Sequence, residues 1–147
     1  MGPYPEEVSL VQVEGLREVL LSIKNEVPGV RALAVISYDG FVIESFMPSS
    51  VDEDLMAAMG SSVLSIAERM GLDLKLGDFE LGIVAGSDGY LLLTRVGKEA
   101  ILLVLVNRDV KLGIALYSVK RATEKVARAL EGVSVRELIA SKWAEMT

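Results

Sequence analysis

The chain has 147 residues, 51% hydrophobic and 24% charged, with no cysteine, no histidine and a formal charge of −6. That length suits one domain built around one core. The two missing residue types exclude thiolate nucleophiles, disulfides, thiolate or imidazole metal sites and imidazole bases, and with them much of ordinary enzymology.

In chain order, a first helix is predicted over residues 9–26, where Val13, Leu16, Val19, Leu20, Ile23 and Val27 recur at helical spacing among Glu14, Arg17, Glu18 and Lys24. Ser9 and Gln12 have the spacing of a capping box, and Pro28-Gly29 ends the helix. Gly15 inside it is tolerable where a bare backbone lets another element approach closely. Two β-rich runs, 31–38 and 41–46, flank Asp39-Gly40, and the same device recurs at Asp88-Gly89 between 79–85 and 90–96. Each reads as a hairpin with a type I′ turn.

Between the hairpins, residues 50–70 are helical, with Ser50 and Glu53 as a second capping box and Asp52, Glu53 and Asp54 at the positive end of the helix. A fifth strand, 100–106, leads to a third long helix over 109–131, with Leu112, Leu116, Val119, Ala122, Val126 and Leu130 inward. After Gly132, Ser134 and Glu137 cap a short last helix whose stripe is Val135, Leu138, Ile139 and Trp143. The order α-β-β-α-β-β-β-α plus a terminal helix, with two hairpins and no β-α-β crossover, predicts an α+β fold: one mainly antiparallel sheet flanked by helices. Residues 1–132 read as the domain and 133–147 as a helical extension.

The second helix stands apart from the others. Leu55, Met59, Ser62, Ile66 and Met70 trace one stripe and Met56, Gly60, Val63 and Ala67 a neighbouring one, so the helix needs two covers, its own sheet and a further surface. Small residues thin it, and methionines adapt to irregular partners. The competing reading buries it between a sheet and another helix of the same chain, against which its terminal charges argue. The following strand alternates Phe79, Leu81 and Ile83 with Asp78, Glu80 and Gly82, a pattern suited either to an ordinary protected edge or to one that pairs once, with itself, across a two-fold axis. Met56, Met59, Gly60, Val63, Ile66, Ala67, Met70, Phe79 and Leu81 are therefore the expected homodimer interface.

The longest plainly apolar run, 101–106, falls far short of the roughly 20 residues of a membrane span. The first seven residues lack a basic start and an apolar stretch, so the expected location is the cytoplasm. One Gln and two Asn give a composition like that of thermophile proteins. Ser37 with Asp39 and Asp78 with Glu80 are explained by turn and edge-strand roles, so no catalytic residue, metal ligand or cofactor site is assigned. No phosphate-binding glycine loop occurs, so the chain is not expected to bind nucleotide itself. Lys111, Lys120, Arg121, Lys125 and Arg128 make the third helix basic while Glu44 and Asp52 to Asp54 are acidic. The net charge argues against nucleic acid. That face reads as a solvated surface, with a contact to an anionic membrane or an acidic partner left open.

With this order in hand, the sequence resembles the roadblock / dynein light-chain domain family, in particular its MglB-like prokaryotic or archaeal members. The matching features are Val27-Pro28-Gly29-Val30 leading into the first strand, the Ala34-Val35-Ile36-Ser37-Tyr38-Asp39-Gly40 turn and the small-residue helix ending at Gly71. Leu112-Gly113 opening the third helix, with Arg121, Ala122 and Ala127 after it, completes the set. The resemblance covers about residues 16–130 and implies a five-stranded antiparallel sheet with two helices on one face and the second helix on the other. It further implies dimerisation through that helix and the strand after it, and a scaffold or regulator of small Ras-like GTPases, GTPase-activating members among them. Ser61, Ser65, Glu68 and Arg69 are then the candidate GTPase contacts, Arg69 being the one arginine on the second helix that could reach a partner's nucleotide. The terminal helix departs from the minimal domain. The alternative function is a sensory module holding a small apolar ligand between sheet and helix.

Overall fold

The computed structural model describes residues 6–48 and 50–146, with side chains over 15–48 and 50–145. The elements run α1 (Glu6–Glu26), β1 (Val30–Ser37), β2 (Val42–Phe46), α2 (Glu53–Asp73), β3 (Leu81–Ala85), β4 (Gly89–Val96), β5 (Ala100–Asn107), α3 (Leu112–Ala129) and α4 (Val135–Met146). The five strands form one antiparallel sheet in the order β2-β1-β5-β4-β3. The order of elements is the expected one.

Residues 101–106, the most apolar run, make the central strand β5, buried on both faces. Leu102, Val104 and Val106 join Leu33 and Val35 against α1, α3 and α4, where Leu16, Leu20, Val119 and Val126 close the larger core. Ile101 and Leu103 join Ala32, Ala34 and Ile36 against Ala57 and Leu64 of α2. The small side chains of Ala32, Ala34 and Ala57 let α2 lie close to the sheet. α1 packs over β1 and β2, and α3 over β4 and β5.

Several local expectations need correction. α1 begins before Ser9, so that serine is inside the helix; the side chains of Ser9, Gln12, Val13 and Glu14 lie outside the described residues. Nothing among the described residues comes within 4 Å of a Cβ placed on Gly15. The N-cap of α2 is Asp52, whose carboxylate accepts the Leu55 N–H at 3.0 Å, and not Ser50. Asp52 wins because its charge adds to the hydrogen bond at the positive helix end.

Neither hairpin has the type I′ turn. At the first, the Gly40 N–H donates to the Ser37 carbonyl at 3.0 Å and the Ser37 N–H to the Phe41 carbonyl at 2.8 Å, and Gly40 alone has positive φ, at 88°. This is a type I turn closed by a glycine bulge; a separate register shift between Val35 and Ile36 leaves Ile43 as the extra residue on β2. At the second, the Gly86 N–H donates to the Gly89 carbonyl at 2.8 Å, so the turn is at Ser87-Asp88. Gly89 is needed for space, since a Cβ there would lie 2.9 Å from the Val106 carbonyl oxygen.

Candidate functional site

The helical period divides α2 into three faces. Ala57, Gly60 and Leu64 face the sheet and are buried, with Met56 beside them, and Gly71 is buried against the loop that follows the helix. A Cβ on Gly60 would lie 2.7 Å from Leu103 Cδ1 and 3.3 Å from Ile36 Cδ1, so the glycine is what seats the helix on β1 and β5. Met56 and Gly60, expected on the partner face, thus serve the chain's own core. Their positions in the inner stripe follow from the 100° step per residue, which separates them from Met59 and Ile66.

The second face carries Leu55, Met59, Ile66 and Met70, all exposed, with Ile66 at 62%. Val63 and Ala67 lie half-buried on its β3 side. Opposite them runs β3, shorter than expected. Residues 75–80 form a loop, in which Lys75 (φ 57°) and Gly77 (φ 87°) turn the chain back beneath α2. The Leu76 N–H donates to the Gly71 carbonyl at 2.8 Å, and this close reversal removes 75–80 from the sheet. Phe79 leaves the strand pattern and lays its ring over Gly82, half-buried like Leu81. Helix and strand enclose an open groove of about 740 Å³, lined by Val63, Ala67, Met70, Leu76, Phe79 and Val84 among others. Leu72, Leu74 and Leu76 project from its rim, each more than 60% exposed.

The edge itself is unpaired. Arg95 donates its N–H to the Glu80 carbonyl, and Gly86 donates to Gly89, so the even-numbered residues turn their backbone groups toward β4. The N–H and C=O groups of Leu81, Ile83 and Ala85 therefore point to the open side. Ile83 and Val84 are 41% and 48% exposed, one on each face of the sheet.

The third face of α2 is polar and turned toward the β1–β2 hairpin. Ser61 lies against Gly40 and donates its Oγ–H to the Ala58 carbonyl at 3.0 Å. Ser65, Glu68 and Arg69 are exposed beside it. Arg69 Nε donates to Asp73 Oδ2 at 2.8 Å. Tyr38 sits on this side too; burial chiefly raises its pKa, and the carboxylate of Glu68 adds to the rise. The two groups of candidate residues thus occupy opposite flanks of one helix. Sequence reasoning also passed over the Leu72, Leu74 and Leu76 rim, although an i, i+2, i+4 leucine run between polar residues was a visible signal.

A family model described as Roadblock/LC7 domain matches residues 14–106. The chain is 38% identical over 108 residues to the uncharacterized protein MJ1340 of Methanocaldococcus jannaschii, a match spanning 74% of this chain and 93% of that protein. Its fold is similar to that of Myxococcus xanthus MglB, with a TM-score of 0.78 at 16% identity over 91% of this chain and 97% of the other. It is similar as well to the gliding protein MglB of Thermus thermophilus, with a TM-score of 0.74 at 22% identity over 88% and 95% of the two chains.

Proposed function

Because the chain belongs to the Roadblock/LC7 domain family, we propose that it is a non-catalytic homodimer that carries a Ras-like small GTPase and modulates its nucleotide cycle or its location. The observation that supports this reading best is the uncovered apolar stripe of Leu55, Met59, Ile66 and Met70 beside an open strand edge. A contiguous exposed apolar face marks an interaction site, and an unpaired edge beside it is sticky unless covered. A second copy supplies both covers at once: edge meets edge and stripe meets stripe across a two-fold axis.

The polar flank of Ser61, Ser65, Glu68 and Arg69 stays outside that pairing and is the surface offered to the GTPase. Arg69 is already tied to Asp73, which favours a docking contact over a free arginine supplied to the partner's nucleotide. The seam between α2 and the sheet is filled by Gly60 against Leu103 and Ile36, which favours a surface platform over a sensor with an internal apolar ligand.

In size-exclusion chromatography with light scattering, the protein is expected at twice its chain mass. The double variant Met59→Glu/Ile66→Glu is expected at one chain mass with an unchanged circular dichroism spectrum. A wild-type monomer at all concentrations sinks the dimer. The GTPase reading is tested by pull-down of purified Ras-like GTPases from the source genome, loaded with GDP or a non-hydrolysable GTP analogue. Recovery in neither nucleotide state overturns it.

A further inference from the structure

The face of the sheet opposite α2 carries a second exposed surface that the platform reading leaves unused. Residues 108–128 hold six Lys or Arg against two Asp or Glu in a chain whose formal charge is −6. Around the outer side of α3, Lys120, Arg121 and Arg128 are exposed, and Arg108 and Lys111 extend the cluster at its start. Among the described residues none of these five forms an ion pair. Within the cluster Lys125 is paired with Glu26, whose carboxylate also feels the charge of Arg121. Glu124 and Asp109 on this surface, and Glu18 on α1, do not offset the cations. In their midst Ile114 is 50% and Tyr117 65% exposed, with the Arg121 guanidinium 6.0 Å from the Tyr117 ring centre.

We infer that this face of α3 docks on an anionic lipid bilayer. Long basic side chains ringing an exposed aliphatic and an exposed tyrosine match the headgroup layer, where cations meet lipid phosphates and amphipathic rings lie at the boundary. A protein helix needs a concave apolar seat, and the trough beside α3, between Ile23, Val27 and Tyr117, holds only about 260 Å³. Nucleic acid would draw on several stacking aromatics, of which this face has one. The acidic groups Asp52, Glu53, Asp54, Glu68, Asp73 and Asp78 belong to α2 and its following loop, across the sheet, so the charge is segregated and orients the molecule.

The effect doubles if the dimer proposed above forms, and that part rests on it. α3 lies over β4, next to the β3 edge, so pairing two edges sets two α3 helices side by side on one face of the joined sheet. Both basic surfaces then address one plane, and avidity multiplies a weak single contact.

The test is flotation with vesicles of phosphatidylcholine alone or with added phosphatidylglycerol, at low and at physiological salt. Binding is expected to be at least about tenfold stronger to the anionic vesicles and to weaken with salt. The triple variant Lys120→Glu/Arg121→Glu/Arg128→Glu loses it, Ile114→Ser/Tyr117→Ser weakens it, and Lys75→Glu, on the α2 side, leaves it unchanged. Light scattering and circular dichroism on each variant check assembly and fold. A Met59→Glu/Ile66→Glu monomer that binds more weakly, yet still only to anionic vesicles, supports the lipid face and its doubling together. A wild-type monomer that binds anionic vesicles overturns the dimer and leaves the lipid face standing. Equal binding to both vesicles, binding to neither, or salt-sensitive capture of RNA or an acidic peptide without vesicle binding overturns the inference.

Discussion

A Cβ added to Gly71 would lie 2.5 Å from the Gly77 carbonyl oxygen, a backbone atom in the loop folded beneath α2, while one added to Gly15 would meet nothing among the described residues within 4 Å. Both residues lie inside helices, and composition treats them alike. Gly71→Ala must push the 75–80 loop away, so a loss of about 2 kcal/mol or more is expected. Gly15→Ala, at an exposed helix position, lowers the backbone entropy of the unfolded chain and is expected to gain about 0.5–1 kcal/mol. Urea denaturation of both variants checks the contrast, and equal effects would mean that Gly71 is not held by that carbonyl. Glu44 is a further residue that sequence could not weigh. It reads as a surface acid in an edge strand, yet it is 7% exposed beneath α4, with Arg17 Nη2 3.6 Å from its Oε1.

Among the elements, α4, read from the sequence as a helical extension, is attached to the rest of the chain in several places. Ser134 Oγ accepts the Glu137 N–H at 3.4 Å, as the capping box predicts, and the Glu99 carboxylate accepts the Val135 N–H at 3.0 Å from the β4–β5 turn. Val135 and Leu138 enter the larger core, and Trp143 meets Phe41 edge to face, ring centres 6.2 Å apart. Burial pushes the Lys142 ammonium below the usual lysine range, opposed by the carboxylates of Glu44 and Glu53. Its folded pKa is thus the lower one, the unfolded chain binds more protons between the two values, and stability rises with pH toward the ordinary lysine value of about 10.4. The wild type is therefore expected to gain stability relative to Lys142→Met as pH rises toward that value, followed by fluorescence of the single tryptophan. A difference that stays flat with pH would show that Lys142 remains solvated.

At the scale of the molecule, one helical layer is complete and the other is half open. α1, α3 and α4 cover their face of the sheet, whereas α2 covers β1 and β2 and leaves the groove beside β3. A protein whose second layer is finished by another copy should have a melting temperature that rises with concentration, since association stabilises only the folded state. Calorimetry over a wide concentration range checks this; a constant melting temperature would contradict an obligatory pair. The sequence by itself determined the order and type of every element, the antiparallel sheet and the odd two-sided second helix, because hydrophobic period and turn residues are local properties that report which side of each element is buried. It placed element boundaries within a few residues and missed those that depend on neighbours: Asp52 over Ser50, the glycine bulge at Gly40, and the shortened β3. Only the tertiary structure decided which stripe of α2 faces the sheet, moving Met56 and Gly60 inward. The physical reason is that a helix with two apolar stripes has no inside until Ala32, Ala34 and Leu103, distant in sequence, are brought beneath one of them.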